Sequence, residues 1–237
     1  MPDIHHSIGG SNAHIWIECP ASPLLSRLVP PFDAGPAAAR GTRIHALAEK
    51  IYNGTTTFAE DDFEEVAIAQ RYVTAIKNKF QNLPIKIEHY VKLMTLDAGG
   101  TIDCIVWDED AKILYVLDLK TGKQEVSPEC NWQLLFYAMC ALHTPGYDMI
   151  HPDHIYLGIY QNELLKWWPI PFNVYETRRL MMIDAINKIM SSYVQALPGE
   201  HCKYCKGKKA CVRYIETKPV KVTVVEQPKK KDEITQW

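Results

Sequence analysis

Gly100-Thr101-Ile102-Asp103-Cys104-Ile105-Val106-Trp107, then Asp108-Glu109-Asp110-Ala111, then Lys112-Ile113-Leu114-Tyr115-Val116-Leu117-Asp118-Leu119-Lys120, is the stretch that decides the fold. Both alternating faces of the run ending at Leu119 are apolar, which marks a strand covered on both sides. The short polar segment before it predicts an antiparallel hairpin with Gly100–Trp107. Asp118 and Lys120 interrupt the end of the buried strand and share one face. A turn of two or four residues brings Asp103 opposite or diagonal to Asp118. An ionised carboxylate near a core costs several kcal/mol unless a cation or strong donors meet it. Two neighbouring carboxylates repel, and a divalent cation reverses that penalty; hard oxygen ligands suit magnesium or manganese. The other reading is an ion pair of Lys120 with Asp118 or Asp103 at a sheet edge.

Working outward, Ile85–Met94 reads as a third strand, joined through Asp97-Ala98-Gly99-Gly100. Upstream, Ala37 to Asn53 carries Ile44, Leu47, Ala48 and Ile51 at helical spacing, and Gly54 ends it. Asp61 or Asp62 caps a second helix to Leu83, with Phe63, Val66, Ala69, Val73, Ile76 and Phe80 as the inward stripe. Ser11 to Leu28 is a helical segment broken near Pro20 and Pro23, and Val29 to Gly35 is a loop. Downstream, Pro128 opens a helix to about His143. His154–Gln161 and Glu163–Trp168 form two strands around a tight turn. Asn173 to Leu197 is a long helix, capped by Asn173 and ended by Pro198-Gly199. Val220–Val225 is a candidate edge strand. The organisation expected is one domain over 1–215 and a charged, mobile tail over 216–237, where Lys229-Lys230-Lys231 reads as solvated.

A chain of 237 residues suits one medium domain with a full core. A formal charge of -2 neither requires nor excludes a nucleic-acid partner, so any basic surface is local. No apolar run approaches bilayer length, and Met1 to Gly10 has no signal-peptide core, so a cytoplasmic location is expected. Seven cysteines, an odd count without an export signal, argue against a disulfide framework. Cys104, Cys130 and Cys140 sit singly in apolar or helical patterns and read as small buried hydrophobes. Cys202-Lys203-Tyr204-Cys205, with Cys211 after five intervening residues, has the spacing of a metal centre that needs a fourth ligand. His201 is a local candidate for zinc.

The Gly100-Thr101-Ile102-Asp103, Asp118-Leu119-Lys120 and Gln133-Leu134-Leu135-Phe136-Tyr137 series resembles the ordered motifs of RecB-like PD-(D/E)XK nucleases. Gly41-Thr42-Arg43-Ile44-His45 resembles the histidine-bearing helix that precedes them. The resemblance implies an α/β fold with an αβββαβ core and a central mixed sheet flanked by helices. It implies that His45, Asp103, Asp118 and the Leu119 carbonyl ligate one or two magnesium or manganese ions. Lys120 would orient or deprotonate the attacking water, and Gln133 and Tyr137 would line the cleft. Glu49, one turn after His45, is either an acid near the metal or an exposed acid. Glu88 either approaches the metal or faces solvent.

Glu18-Cys19-Pro20 with Cys202, Cys205 and Cys211 resembles the subset of that family holding a four-iron, four-sulfur cluster, as in CRISPR-adaptation and AddB-type nucleases. Zinc is the alternative. Such a cluster would close a very long loop, as a long-range disulfide does. Lys203, Lys206, Lys208, Lys209 and Arg213 around the cysteines could hold phosphates or balance an anionic cluster.

The function so implied is metal-dependent hydrolysis of DNA ends or single strands by an exonuclease, of five-prime to three-prime polarity. The setting would be bacteriophage or bacterial recombination, with a recombination or single-strand-binding protein as a possible partner. The competing function is a non-catalytic DNA- or protein-binding module of the same fold.

Overall fold

A computed structural model describes residues 6–30, 35–55, 57–58, 62–93 and 96–216. Met94, Asp61, the 220–225 strand expected from sequence, the lysine run and the rest of the tail lie outside the described residues.

The central hairpin forms as its alternation dictates. Strand β3 (Ala98–Asp108) pairs antiparallel with β4 (Ile113–Lys120), in a register that sets Cys104 against Leu117 and Asp108 against Ile113. Strand β2 (Ile85–Lys92) pairs antiparallel along the other edge of β3. Helix α5 (Trp132–Ala141) then crosses over, so β5 (His154–Gln161) lies parallel to β4. Strand β6 (Leu164–Pro171) returns antiparallel around Asn162 and Glu163, both at positive φ, as a two-residue hairpin turn requires. A two-residue strand, β1 (Ile8–Gly9), pairs parallel with Ala98 and Gly99; it is too short to announce itself in a sequence.

Helices cover both faces. The short α1 (Ala13–Glu18) and α2 (Ser22–Arg27) precede α3 (Gly35–Tyr52) and α4 (Phe63–Phe80), and α6 (Phe172–Met190) and α7 (Val212–Glu216) follow the sheet. Leu114 and Val116 of β4 pack with Trp16 of α1, Phe136 of α5 and Met182 of α6. Tyr115, Leu117 and Leu119 face the other way, onto Ile44 and Leu47 of α3 and Val73 and Ile76 of α4. The fold is therefore mixed α/β, with helices on both sides of a mixed sheet and the order αβββαβ from α4 to β5. Among the described residues no helix is long and apolar enough to cross a membrane.

Several boundaries differ from the sequence reading. Phe63 is not part of the inward stripe: it is 90% exposed at the first position of α4, one residue after the Asp62 cap and too early in the helix to reach the sheet. Helix α5 starts at Trp132, not at Pro128, because the Asn131 side chain accepts from the Gln133 and Leu134 N–H groups and caps it there. Pro171 rather than Asn173 is the cap of α6. That helix stops at Met190, where Ser191 turns extended and its hydroxyl bonds the Lys188 and Tyr193 carbonyls. Cys130 is exposed, at φ +52 in the turn before α5, not buried; Cys104 and Cys140 are core residues.

Candidate active site

The open end of the β3–β4 hairpin builds the site. Pairing stops at Cys104 and Leu117, and the next two facing residues are Asp103 and Asp118. Both are buried. Asp103 Oδ2 accepts the Leu119 backbone N–H at 2.6 Å, so its side chain continues the ladder that the backbone has left. Asp103 Oδ1 lies 3.3 Å from His45 Nδ1.

Helix α3 brings His45 over the sheet because Ile44, Leu47 and Ala48 bury beside it. The other ring nitrogen, Nε2, is 3.2 Å from the Leu119 carbonyl. Nδ1 also lies 3.2 Å from Glu88 Oε1. His45, Glu88 and Asp103 thus place one ligand atom each within 4.8 Å of one another, the spacing of donors around a single cation.

Glu88 is the residue that the sequence did not settle. It sits in β2 at φ +47, between the Ile87–Cys104 and His89–Ile102 pairs. The register is the same on either side of this left-handed residue, so Glu88 lies across from Asp103 and its carboxylate meets His45. The sequence alone does not determine that register. Glu49 is exposed, and its charge contributes to raising the Glu88 carboxyl.

Asp118 stands beside this set and is held differently. Gln133 Nε2 donates to Asp118 Oδ1 at 2.6 Å, and Lys120 Nζ lies 2.9 Å from Asp118 Oδ2. Lys120 Nζ also donates to Gln133 Oε1 at 2.9 Å, which closes a ring of three side chains. Asp118 Oδ2 has the ammonium as a charge partner but no hydrogen bond of proper angle. Tyr137, one turn after Gln133, is buried against two glycines. A Cβ at Gly10 would come within 2.5 Å of its ring, and one at Gly100 within 3.0 Å. The glycine of the G-x-x-D segment therefore leaves space for the tyrosine of the Q-x-x-x-Y helix.

The electrostatics follow from crowding. Burial alone would lower the His45 imidazolium, but Asp103 and Glu88 outweigh it and push it up to about 11. Burial and the neighbouring Asp103 charge push the Asp118 carboxyl up to about 6 against the pull of Lys120. Burial raises Glu88 as well, although His45 opposes it. Burial keeps the Tyr137 phenol protonated. Three carboxylates, Glu88, Asp103 and Asp118, share the site with two basic side chains, His45 and Lys120.

The second cluster joins the chain's ends. Cys19 follows α1; Cys202 lies in the 3-10 turn Glu200–Lys203; Cys205 precedes the turn Lys206–Lys209; Cys211 precedes α7. All four are buried free thiols, and burial pushes the Cys19 and Cys205 thiols up, with neighbouring cysteines of the set adding to the rise. The Leu197 N–H points at Cys19 Sγ and the Gly199 N–H at Cys202 Sγ, both at 3.4 Å. The knuckle docks on α2 so closely that a Cβ on Gly207 would meet Leu25 at 2.7 Å. His201 is instead engaged with the Leu197 carbonyl at 3.0 Å. Among the described residues, the set of three or more ligands drawn within 4.8 Å contains no cysteine.

Among solved structures, the chain is similar to that described as SSO0001, at 14% identity and a TM-score of 0.40, over 87% of this chain and 86% of that one. It is also similar to an alkaline exonuclease of Laribacter hongkongensis, at 12% identity and a TM-score of 0.33, over 70% of this chain and 86% of that one. The same exonuclease in complex with dAMP aligns at 11% identity with a TM-score of 0.31, over 76% of this chain and 92% of that one. No curated protein matches. Residues 5–236 match the family described as "Protein of unknown function (DUF2800)", and the chain belongs to that family.

Proposed function

We propose that the protein is a divalent-cation-dependent DNA nuclease of the PD-(D/E)XK type. The observation that carries this reading is the convergence of His45, Glu88 and Asp103 on one small volume, next to a lysine that two other side chains hold in place. The donor set fits magnesium or manganese: two carboxylates and one imidazole, with the Leu119 carbonyl alongside. When bound, such a cation supplies positive charge to a phosphoryl group and makes water more acidic.

The chain's own residues do the rest. His45, as a neutral imidazole, and the Glu88 and Asp103 carboxylates would hold that cation. Lys120 Nζ, anchored by Asp118 and Gln133, orients the attacking water and meets negative charge developing on the phosphate. Gln133 bonds both Asp118 and the Lys120 ammonium, so the ammonium keeps one position. The water oxygen bonds to phosphorus and gives its proton to solvent while the ester P–O bond breaks, and the leaving oxygen takes a proton from solvent, so water and phosphodiester give a phosphomonoester and an alcohol. Action on DNA ends, with five-prime to three-prime polarity, is the form of this activity that the sequence resemblance implies. A bacterial cytoplasm, including that of a phage-infected cell, is the compartment in which such a protein would meet recombining DNA and single-strand-binding partners.

The four cysteines are proposed to hold a four-iron, four-sulfur cluster. Their burial, and N–H groups aimed at sulfur, suit thiolate ligands. Thiolates on a tetrahedral zinc lie about 3.8 Å apart, closer than any trio of these thiols is drawn. Iron and sulfide in anaerobically purified protein support the cluster, and stoichiometric zinc without sulfide rejects it.

The nuclease reading is tested by cleavage of labelled single- and double-stranded DNA with manganese. Asp118→Ala and Lys120→Ala should each abolish cleavage while the fold persists. Undiminished cleavage by both variants refutes the reading.

A further inference from the structure

Two clefts meet beside the hydrolytic lysine. One, of about 350 Å³, is bounded by Lys120, Gln133, Trp132 and Asn131. The other, of about 410 Å³, lies between α1, α2 and the cysteine knuckle, where Tyr204 and Lys206 line it. Ser11, His14 and Val126 border both, so the two are compartments of one groove with a neck at Ser11 and His14. The groove runs from the reacting lysine to the cysteines.

Its walls have the chemistry of a nucleic-acid strand. Tyr204 is 54% exposed, with its ring packed edge-on against His14 at 6.1 Å. Lys203 Nζ sits over the same ring at 4.8 Å from its centre. Lys206 adds a second cation to the far compartment. Amide side chains, Gln124 in the far compartment and Asn131 in the near one, offer uncharged donors and acceptors. One acid, Glu129, borders the near compartment. The loop forming one wall is pinned from below: buried Gln161 accepts from the Val126 N–H and donates to the Gly122 and Gln124 carbonyls. The groove is thus a fixed channel with an aromatic ring and Lys206 at its far end, and Lys203 lies over that ring.

We propose that this groove is the track of a single DNA strand leading to the hydrolytic site. A base stacks on Tyr204, and Lys203 and Lys206 neutralise phosphates on either side of it. The proposal rests on the nuclease reading and adds the substrate's form and path. Only an unpaired strand can present a free base face to an exposed aromatic ring. A duplex keeps its bases stacked and paired. The cysteine knuckle, beyond stapling the chain's ends, then carries the base platform, because Tyr204 lies between two of its ligand cysteines.

The test is binding of fluorescently labelled oligothymidylate, followed by anisotropy in a chelator so that no cleavage occurs. Tyr204→Ala should weaken binding roughly 5- to 150-fold, and Tyr204→Phe should bind within about twofold of the wild type. Lys206→Ala should reduce the dependence of log affinity on log salt by about one phosphate's share. Ser11→Trp, which places bulk at the neck, should also weaken oligomer binding. Wild-type affinity in both Tyr204→Ala and Ser11→Trp overturns the track, whatever the cleavage assay shows. Equal loss in Tyr204→Ala and Tyr204→Phe, with Ser11→Trp unaffected, also overturns it, because the knuckle rather than the ring is then responsible. Wild-type protein that binds the oligomer through Tyr204 but never cleaves DNA keeps the track and removes the nuclease reading.

Discussion

The Asp103 carboxylate accepts the Leu119 backbone N–H at 2.6 Å, just past the last rung of the β3–β4 hairpin. One side chain therefore both finishes the sheet and faces His45. Asp103→Ala leaves a buried N–H without a partner, whereas Asp103→Asn keeps an oxygen in place. The alanine variant should be less stable than the asparagine variant by roughly 1–3 kcal/mol in urea unfolding, although both lose cleavage. Equal stability would show that this bond contributes nothing.

His45 is held protonated up to about pH 11 by Asp103 and Glu88, against an ordinary value of 6.5. Its folded value is raised, so its stabilising contribution is complete below pH 6.5 and lost as the pH climbs to 11. A cation that binds through the ring must displace the proton. Manganese affinity should rise about tenfold per pH unit between pH 7 and 9 in titration calorimetry, with one proton released per ion. A pH-independent affinity would remove His45 from the ligand set.

Asp118 carries the opposite balance. Its folded value is about 6 against an ordinary 3.8, so the folded state binds more protons between those limits and stability falls as pH rises through them. Above pH 6 the cost is fully present. Asp118→Asn removes it and should stabilise the chelated protein at pH 7 by on the order of 1–3 kcal/mol, with the gain shrinking toward pH 4. Thermal unfolding at the two pH values checks this. A destabilised Asp118→Asn at pH 7 would mean that the Lys120 pairing outweighs burial.

Gln133 donates to Asp118 and accepts from Lys120, so in the proposed nuclease it would act by positioning rather than by chemistry. Gln133→Ala should lower kcat on the order of 10- to 100-fold with little change in KM. The same variant with normal kcat would show that the ammonium needs no such anchor.

The parts of this arrangement differ in how legible they are in the sequence. Alternation over Ile113–Leu119 and a four-residue link determine the hairpin, and the register sets Asp103 facing Asp118. Spacing of three and four residues puts Ile44 and Leu47 inward and leaves His45 at the edge of the buried stripe. Gln133 and Tyr137 share a face for the same reason. Glu88 escapes because nothing in the sequence determines the β2–β3 register that sets it across from Asp103. The end of α6 escapes because Ser191 stops it through side-chain bonds to carbonyls, with no proline or glycine there as a signal. The neck between the two clefts joins Ser11 and His14 to Val126, more than a hundred positions away, and only the folded chain brings them together.

Manganese binding followed by electron paramagnetic resonance tests the shared cation site most directly. The wild type should titrate one saturable tight site, which His45→Ala and Glu88→Gln each weaken at least about tenfold. Identical titrations in all three proteins would contradict the convergence of these residues on one ion.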